Sequence, residues 1–180
     1  MKIKYQFFIS STYKDLIEER QIAINAIMKM GQIPAGMELF TATGEEQFES
    51  IKPVIEESDY YILILGGKYG TVIKEEKISY TEKEFDYALS IGKRIIAFVF
   101  NDPDNLPSGK RELKSVMKNY FEKFRAKVLM NRMVYLWNDK VDLVQGISSS
   151  ITKAIVSLEK LSLSICTRRN SAYRIIVMFL

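Results

Sequence analysis

The chain has 180 residues, 47% of them hydrophobic, and a formal net charge of +4. This length suffices for one substantial core. It contains no histidine, which excludes Ser-His-Asp and Cys-His catalysis and histidine-ligated zinc sites, so any catalysis must depend on carboxylates, hydroxyls, lysine or backbone dipoles.

Composition also restricts the expected cellular location and the expected classes of binding partner. A single cysteine, Cys166, excludes an intrachain disulfide framework, and the N-terminus lacks the features of a secretory signal, so we expect a cytoplasmic protein. The most apolar run, 60–67, is far shorter than the roughly 20 residues of a membrane span. Basic residues occur in scattered pairs without interleaved aromatics, which argues against a nucleic-acid platform. We therefore expect neither a membrane nor a nucleic-acid partner.

Four elements are predicted in the first third of the chain. Residues 3–10 are aromatic and β-branched and indicate a buried strand, and residues 11–31 carry apolar side chains at helical spacing. Residues 33–40 indicate a short, irregular strand. A Thr-x-x-Glu capping pattern predicts a second helix over 43–57.

The rest of the chain continues this alternation. Residues 59–67 are almost continuously apolar, as is typical of a central strand covered on both faces. The later predicted elements are a lysine-rich loop over 68–77, a helix over about 81–92, a strand over 94–100, a loop over 101–109, a helix over 110–126, a strand over 128–137 and a helix over 139–162.

The order βαβαβαβαβα predicts an α/β fold with an open, mainly parallel, flavodoxin-like sheet of about five strands and helices on both faces. We expect one domain over 1–162. Residues 163–180 do not fit this rhythm, and an extra edge strand, an artificial extension or the start of a longer chain are all open.

A ligand site is expected beyond the carboxyl ends of the parallel strands. The GGKYG stretch after the third strand lacks Walker-loop spacing, so its glycines predict a tight turn or close approach to a ligand. The candidate lining residues lie at or just after the end of each strand: Ser10, Ser11 and Tyr13 for the first, Glu38 and Phe40 for the second, Gly66, Gly67 and Tyr69 for the third, and Ser79 and Tyr80 before the third helix.

Several of these polar residues also have purely structural interpretations. Ser10-Ser11 is most simply a helix N-cap. Asp15, Glu18 and Glu19, together with Arg20, have the pattern of a solvated helix face.

Two glutamates begin the third helix, and each fits a capping box. Ser79 pairs with Glu82 in one box and Thr81 pairs with Glu84 in the other. A helical wheel places Glu84 at the edge of the buried stripe, where its pKa could be tuned, and Glu82 at the opposite edge. Wheel position alone does not choose between them.

Four segments carry a resemblance to a known family: "FISSTYKDLIEER", "IPAGMELF", "SDYYILILGGKYG" and "SYTEKEFDYALSIGKRIIAF". They resemble the family called domain of unknown function 4062, over about residues 4–100. This is a TIR-like family, often found at the N-terminus of signalling proteins with NTPase or repeat modules. The resemblance implies a TIR-like sheet.

The wider TIR superfamily is similar at the third helix. Its NAD-cleaving members carry a glutamate four residues after an aromatic residue, before a "GK" strand. Tyr80 and Glu84 match that spacing, with "SIGKRIIAF" in register, so the resemblance selects Glu84 over Glu82. Tyr80 stands where those enzymes usually have tryptophan. Nucleoside deoxyribosyltransferases show a similar glutamate-helix-"GK" arrangement.

The resemblance implies a TIR-like signalling or antiviral defence domain that cleaves the N-glycosidic bond of NAD or a related nucleotide. Glu84 would be the catalytic carboxylate near the ribose, Tyr69 or Tyr80 would stack on the base, and Ser10, Ser11 and Gly66 would contact ribose or phosphate. NAD would be a substrate, with neither a prosthetic group nor a metal.

The expected partners are a nucleotide or nucleoside and either further copies of the chain or a larger parent signalling protein. Two alternatives stay open, a non-catalytic self-associating adaptor and base exchange as in nucleoside 2-deoxyribosyltransferases.

Overall fold

The computed structural model describes residues 3–36, 45–130 and 133–177. The strands are β1 (Gln6–Ser11), β2 (Ile33–Gly36), β3 (Tyr60–Leu65), β4 (Val72–Ile73), β5 (Ile78–Ser79), β6 (Arg94–Phe100) and β7 (Val134–Trp137). The helices are α1 (Ile17–Lys29), α2 (Glu45–Glu57), α3 (Tyr80–Ser90), α4 (Ser115–Leu129) and α5 (Lys140–Val177), with two short 3-10 turns at Pro103–Asn105 and Ser108–Lys110.

Five of the strands form one sheet in the order β2-β1-β3-β6-β7, and every neighbouring pair is parallel. This confirms the predicted α/β fold with a flavodoxin-like strand order. Strands β2 and β6 lie on opposite sides of the β1–β3 pair. The connections that follow β1 and β3 therefore run in opposite directions and open a crevice at the carboxyl ends of these two strands. A ligand site is expected at such a switch point.

Helices cover both faces of the sheet. Successive strand side chains point to opposite faces, and one set, which includes Phe8, Tyr61 and Leu63, packs in a buried cluster with residues of α2, α3 and α4. Helix α1 contacts β1 and β2, and its Ala23 and Ile27 are fully buried. All six residues of β3 are buried, as predicted for a central strand.

Three segments differ from the prediction, and the first is the helix predicted over 110–126, which begins only at Ser115. The predicted lysine-rich loop over 68–77 contains β4, which forms an antiparallel hairpin with β5 directly after the loop. This hairpin was not predicted because each strand has only two residues. The predicted strand 128–137 shortens to β7, because Val128 continues α4. Phe121, Phe124 and Val128 are all buried and lie at spacings of three and four residues, which completes an apolar helix stripe.

The chain divides into two compact units, Met1–Ser148 and Ser149–Leu180. The described part of the second unit, residues 149–177, is the continuation of α5. Residues 163–177 are therefore helical, and the edge strand considered for this segment is wrong. The domain bounds 1–162 stay a prediction. Among the described residues, no helix combines the length and apolar character needed to cross a membrane.

Candidate functional site

A buried hydrogen bond joins β1 to α3. Ser10 is the second-last residue of β1, and its hydroxyl donates to Glu84 Oε2 at 2.6 Å. Ser10 is fully buried and the Glu84 residue is only 2% exposed. The Glu84 carboxyl therefore faces the sheet, and the predicted Thr81–Glu84 capping box is replaced by this contact.

The surroundings of Glu84 change its acidity. Burial raises the pKa of Glu84 to about 7, although the hydrogen bond from Ser10 and the positive charge of Arg20 act in the opposite direction. Burial and the nearby Glu84 charge also hold the pKa of the Tyr61 hydroxyl well above its ordinary range. Near neutral pH, Glu84 can thus exist in both its protonated and its ionised form.

Glu82 has a different role. Ser79, at the end of β5, is the N-cap of α3, and its hydroxyl accepts from the Glu82 N–H at 3.1 Å. The Glu82 carboxylate accepts from the Tyr69 hydroxyl and forms an ion pair with Lys127, which also pairs with Asp86 at 2.9 Å. Glu82 thus connects the start of α3 to α4, and the structure separates the two glutamates that the helical wheel left equivalent.

The predicted solvated face of the first helix is wrong for three of its four residues. Asp15, Glu19 and Arg20 are buried, and only Glu18 is exposed. The Arg20 Nη1 group donates to Ser11 Oγ at 2.9 Å and to the Ile9 carbonyl oxygen at 3.4 Å, so the guanidinium reaches the carboxyl end of β1.

A sequence signal for this burial exists. Leu16, Arg20, Ala23 and Ile27 recur at spacings of four, three and four residues, which places Arg20 on the same helix face as three buried apolar residues. The first helix also begins at Ile17 and has Leu16 at its N-cap position, so the predicted N-cap by Ser10-Ser11 is wrong.

A cleft lies at the switch point of the sheet. This cleft, called the Tyr80 cleft below, has a volume of about 370 Å³. It is lined by the segment after β1, the segment after β3, the start of α3 and one residue before α4: Ser11, Thr12, Tyr13, Lys14, Asp15, Lys68, Gly70, Thr71, Tyr80, Thr81 and Glu112. Lys14 and Lys68 can bind phosphate groups in this cleft, and Tyr13 and Tyr80 can stack on a ring.

Asp15 is the buried carboxyl of the Tyr80 cleft. Burial raises the pKa of Asp15, whereas a hydrogen bond with Thr12 and the charges of Lys68 and Lys110 lower it. Gly70 is needed for the shape of the same wall. Its φ is +92°, and a Cβ there would lie 2.9 Å from Thr12 Cγ2, so any side chain would be both strained and crowded.

The structure brings only some of the predicted site residues to this cleft. Ser11, Tyr13 and Tyr80 line it. Ser10 and Glu84 do not, but each is adjacent to its lining, since Ser11 follows Ser10 and Tyr80 lies one helical turn before Glu84. Ser79 is buried as the helix cap.

The other predicted residues lie elsewhere. Tyr69 is buried in the core, where its ring stacks on Tyr120 with centroids 5.5 Å apart, so it is not placed to stack on a ligand in the Tyr80 cleft. Gly66 lines a separate cavity. Glu38 and Phe40 lie outside the described residues.

Gly67 supports the connection between β6 and α4. A Cβ at Gly67 would lie 2.7 Å from the Lys110 carbonyl oxygen and 2.8 Å from Leu106 Cδ1. Gly67 forms a parallel bridge with Arg111, and its carbonyl accepts from the Glu112 N–H at 2.9 Å. The missing side chain therefore lets residues 106–112 approach the end of β3.

Known proteins are similar to this chain in family and in fold. The family described as "Domain of unknown function (DUF4062)" matches residues 6–152, and no curated protein sequence matches the chain. The structure of the RPS4 and RRS1 TIR domain heterodimer aligns with 82% of this chain and 96% of that chain, at 10% identity and a TM-score of 0.51. A CMP N-glycosidase from Clostridium botulinum, BcmB, aligns with 81% of this chain and 98% of that chain, at 14% identity and a TM-score of 0.47.

Proposed function

Since the chain belongs to the DUF4062 family and has a TIR-like fold, we propose that it binds a nucleotide in the Tyr80 cleft and hydrolyses the N-glycosidic bond of NAD or a related nucleotide. Glu84 is the proposed catalytic carboxylate. The proposed setting is a signalling or antiviral defence system in the cytoplasm.

The observation that carries the proposal is the Ser10–Glu84 hydrogen bond of 2.6 Å. A carboxylate that only capped its helix would face the amides of the first turn, as the Ser79 hydroxyl does. Glu84 instead faces the end of β1 beside the cleft, and its pKa of about 7 is strongly perturbed. Perturbed acids next to a cleft are concentrated at functional sites.

The chemistry needs few groups. Cleavage of the N-glycosidic bond passes through an oxocarbenium-like transition state, which one ionised carboxylate can stabilise. Nicotinamide leaves as a neutral base from a cationic pyridinium, so a strong general acid is not needed. Water then adds to the anomeric carbon of the ribose and loses a proton to the solvent, which completes the hydrolysis. Lys14 and Lys68 would hold the phosphates, and Tyr80 would contact the base.

Catalysis also requires access to Glu84. Because Tyr80 and Thr81 line the cleft one turn before Glu84, we propose that a bound substrate displaces the Tyr80 side chain and places the ribose against the Ser10–Glu84 pair. Self-association of the chain is part of the proposal, and the RPS4 and RRS1 TIR domains supply an example of pairing in this fold.

The test is the release of nicotinamide from NAD by the purified chain, measured over a range of protein concentrations. Glu84→Gln should lower the rate by about a hundredfold or more, whereas Glu75→Gln, at an exposed turn position, should leave it unchanged. Wild-type activity should rise as the pH increases through about 7, because the ionised form of Glu84 stabilises the positive charge. Full activity in Glu84→Gln would overturn the assignment.

One observation favours a second function. Glu84 is only 2% exposed, which suits a structural bond between β1 and α3 in a non-catalytic, self-associating adaptor. If concentrated wild-type protein released no base from NAD or from deoxynucleosides, the adaptor would be supported. Base released from deoxynucleosides but not from NAD would instead indicate nucleoside base exchange.

A further inference from the structure

A second cavity, called the Trp137 cavity below, shares no lining residue with the Tyr80 cleft. Its volume is about 440 Å³, within the usual range of small-molecule sites. Most of its lining is apolar and comes from the start of α1, from the ends of β3, β6 and β7 and from the segments that follow these strands. It includes Leu16, Gly66, Phe100, Leu106, Trp137 and Val141.

Two polar groups of this lining are buried without a partner. The Glu19 Oε2 atom and the Trp137 Nε1–H group have no hydrogen-bond partner among the described residues, and both residues are only 3% exposed. The other carboxylate oxygen, Glu19 Oε1, pairs with Lys110 Nζ at 2.8 Å. A buried donor or acceptor without a partner is costly and rare in native proteins.

These groups define a complementary ligand. The free acceptor on Glu19 requires an N–H or O–H donor, and the free donor on Trp137 requires a ring nitrogen or a carbonyl. Apolar walls favour a flat ring between them, and the Phe100 and Trp137 rings already meet edge to face at 4.7 Å. Two lysines, Lys110 and Lys140, and two carboxylates, Glu19 and Asp139, line the cavity. Their formal charges balance, so a neutral ligand is favoured over an ion.

We propose that the Trp137 cavity binds a neutral planar heteroaromatic amine, in which an amino group stands beside a ring nitrogen as in adenine. Both polar atoms are covered by neighbouring side chains, each with an accessible surface below 1 Å², so binding includes a side-chain movement that opens them to the cavity. The amino N–H would then donate to Glu19 Oε2, and the ring nitrogen would accept from Trp137 Nε1–H. This site is separate from the proposed hydrolysis site and does not depend on it.

The experiment uses the only tryptophan of the chain. In ¹⁵N-labelled protein, Trp137 gives the single indole N–H signal, which is followed while adenine is added up to its solubility limit. Purine is the matched control, because it keeps the ring nitrogens and lacks the amino group. We expect a saturable downfield shift of the signal with adenine and binding of purine that is weaker by roughly tenfold or more.

Variants test the contact with Glu19. Glu19→Gln replaces the acceptor oxygen without changing the shape of the side chain, and adenine should bind it about tenfold more weakly. Val141→Phe is a second variant. Val141 is 66% exposed and tolerates a larger residue, which would narrow the cavity. This variant should weaken adenine binding to a similar extent.

Glu84→Gln separates the two proposals, because it should bind adenine as the wild type does. An unmoved indole signal in the wild type would overturn the proposal. Equal affinity for adenine and purine, or unchanged affinity in both Glu19→Gln and Val141→Phe, would do the same.

Discussion

Replacing Glu84 by glutamine should stabilise the protein at neutral pH. Glutamine has nearly the same shape, and its side-chain oxygen can still accept the hydrogen bond from Ser10. What it removes is the ionisation of a carboxyl group that is only 2% exposed.

The size of the effect follows from the pKa. Burial raises the pKa of Glu84 from its ordinary value of 4.5 to about 7 in the folded chain. Between those values the folded chain binds more protons than the unfolded chain, so the free energy of unfolding falls as the pH rises. The full change from 4.5 to 7 corresponds to roughly 3 kcal/mol, at about 1.4 kcal/mol per pKa unit.

The assay is urea unfolding of wild type and Glu84→Gln between about pH 5 and about pH 8, followed by circular dichroism. The free energy of unfolding of the variant minus that of the wild type should increase by roughly 2 kcal/mol between pH 5 and pH 7 and then level off. Glu75→Gln, at an exposed position, should show no such trend.

A difference that stays constant with pH, or that decreases as the pH rises, would refute the reasoning. The expected result also bears on function. A variant that is more stable than the wild type but inactive on NAD would exclude unfolding as the cause of the lost activity. A carboxyl group that lowers stability is a typical cost of a functional site.

Two further predictions concern the supports of the candidate site. Gly67→Ala should lower the free energy of unfolding by about 1–3 kcal/mol, because its Cβ would lie 2.7 Å from the Lys110 carbonyl oxygen, whereas Gly109→Ala, with nothing within 4 Å, should change it little; equal effects in urea unfolding would contradict this view. Ser79→Ala should cost about 1 kcal/mol in the same assay through loss of the α3 cap, and Ser90→Ala, at the exposed end of the same helix, much less. A Ser79→Ala variant as stable as the wild type would show that the cap bond contributes nothing.

The fold could be predicted because the periodicity of each element is local information. The all-apolar run of β3 and the helical spacing in α3 determine their elements without reference to the rest of the chain. The predicted boundaries between elements were less accurate where residues suit both a helix and a strand. Val128 and Leu129 suit a strand as well as a helix, and their assignment to α4 depends on the packing of Val128 beside Phe121 and Phe124.

The candidate site was predictable only in part, because its geometry depends on contacts distant in sequence. Ser10 and Glu84 are 74 positions apart, and their hydrogen bond required the sheet order to be known. Tyr69 was expected to stack on a ligand, yet Tyr120 and Phe124 enclose it in the core. Arg20 is buried because it shares a helix face with apolar residues, whereas its charge alone had indicated a solvated position.

The connection that rests on Gly67 borders both sites. Leu106 and Lys110 line the Trp137 cavity, and Glu112 lines the Tyr80 cleft. Exchange of residues 106–112 between family members would therefore replace part of the lining of both sites in one step, while the five strands keep their own pairing.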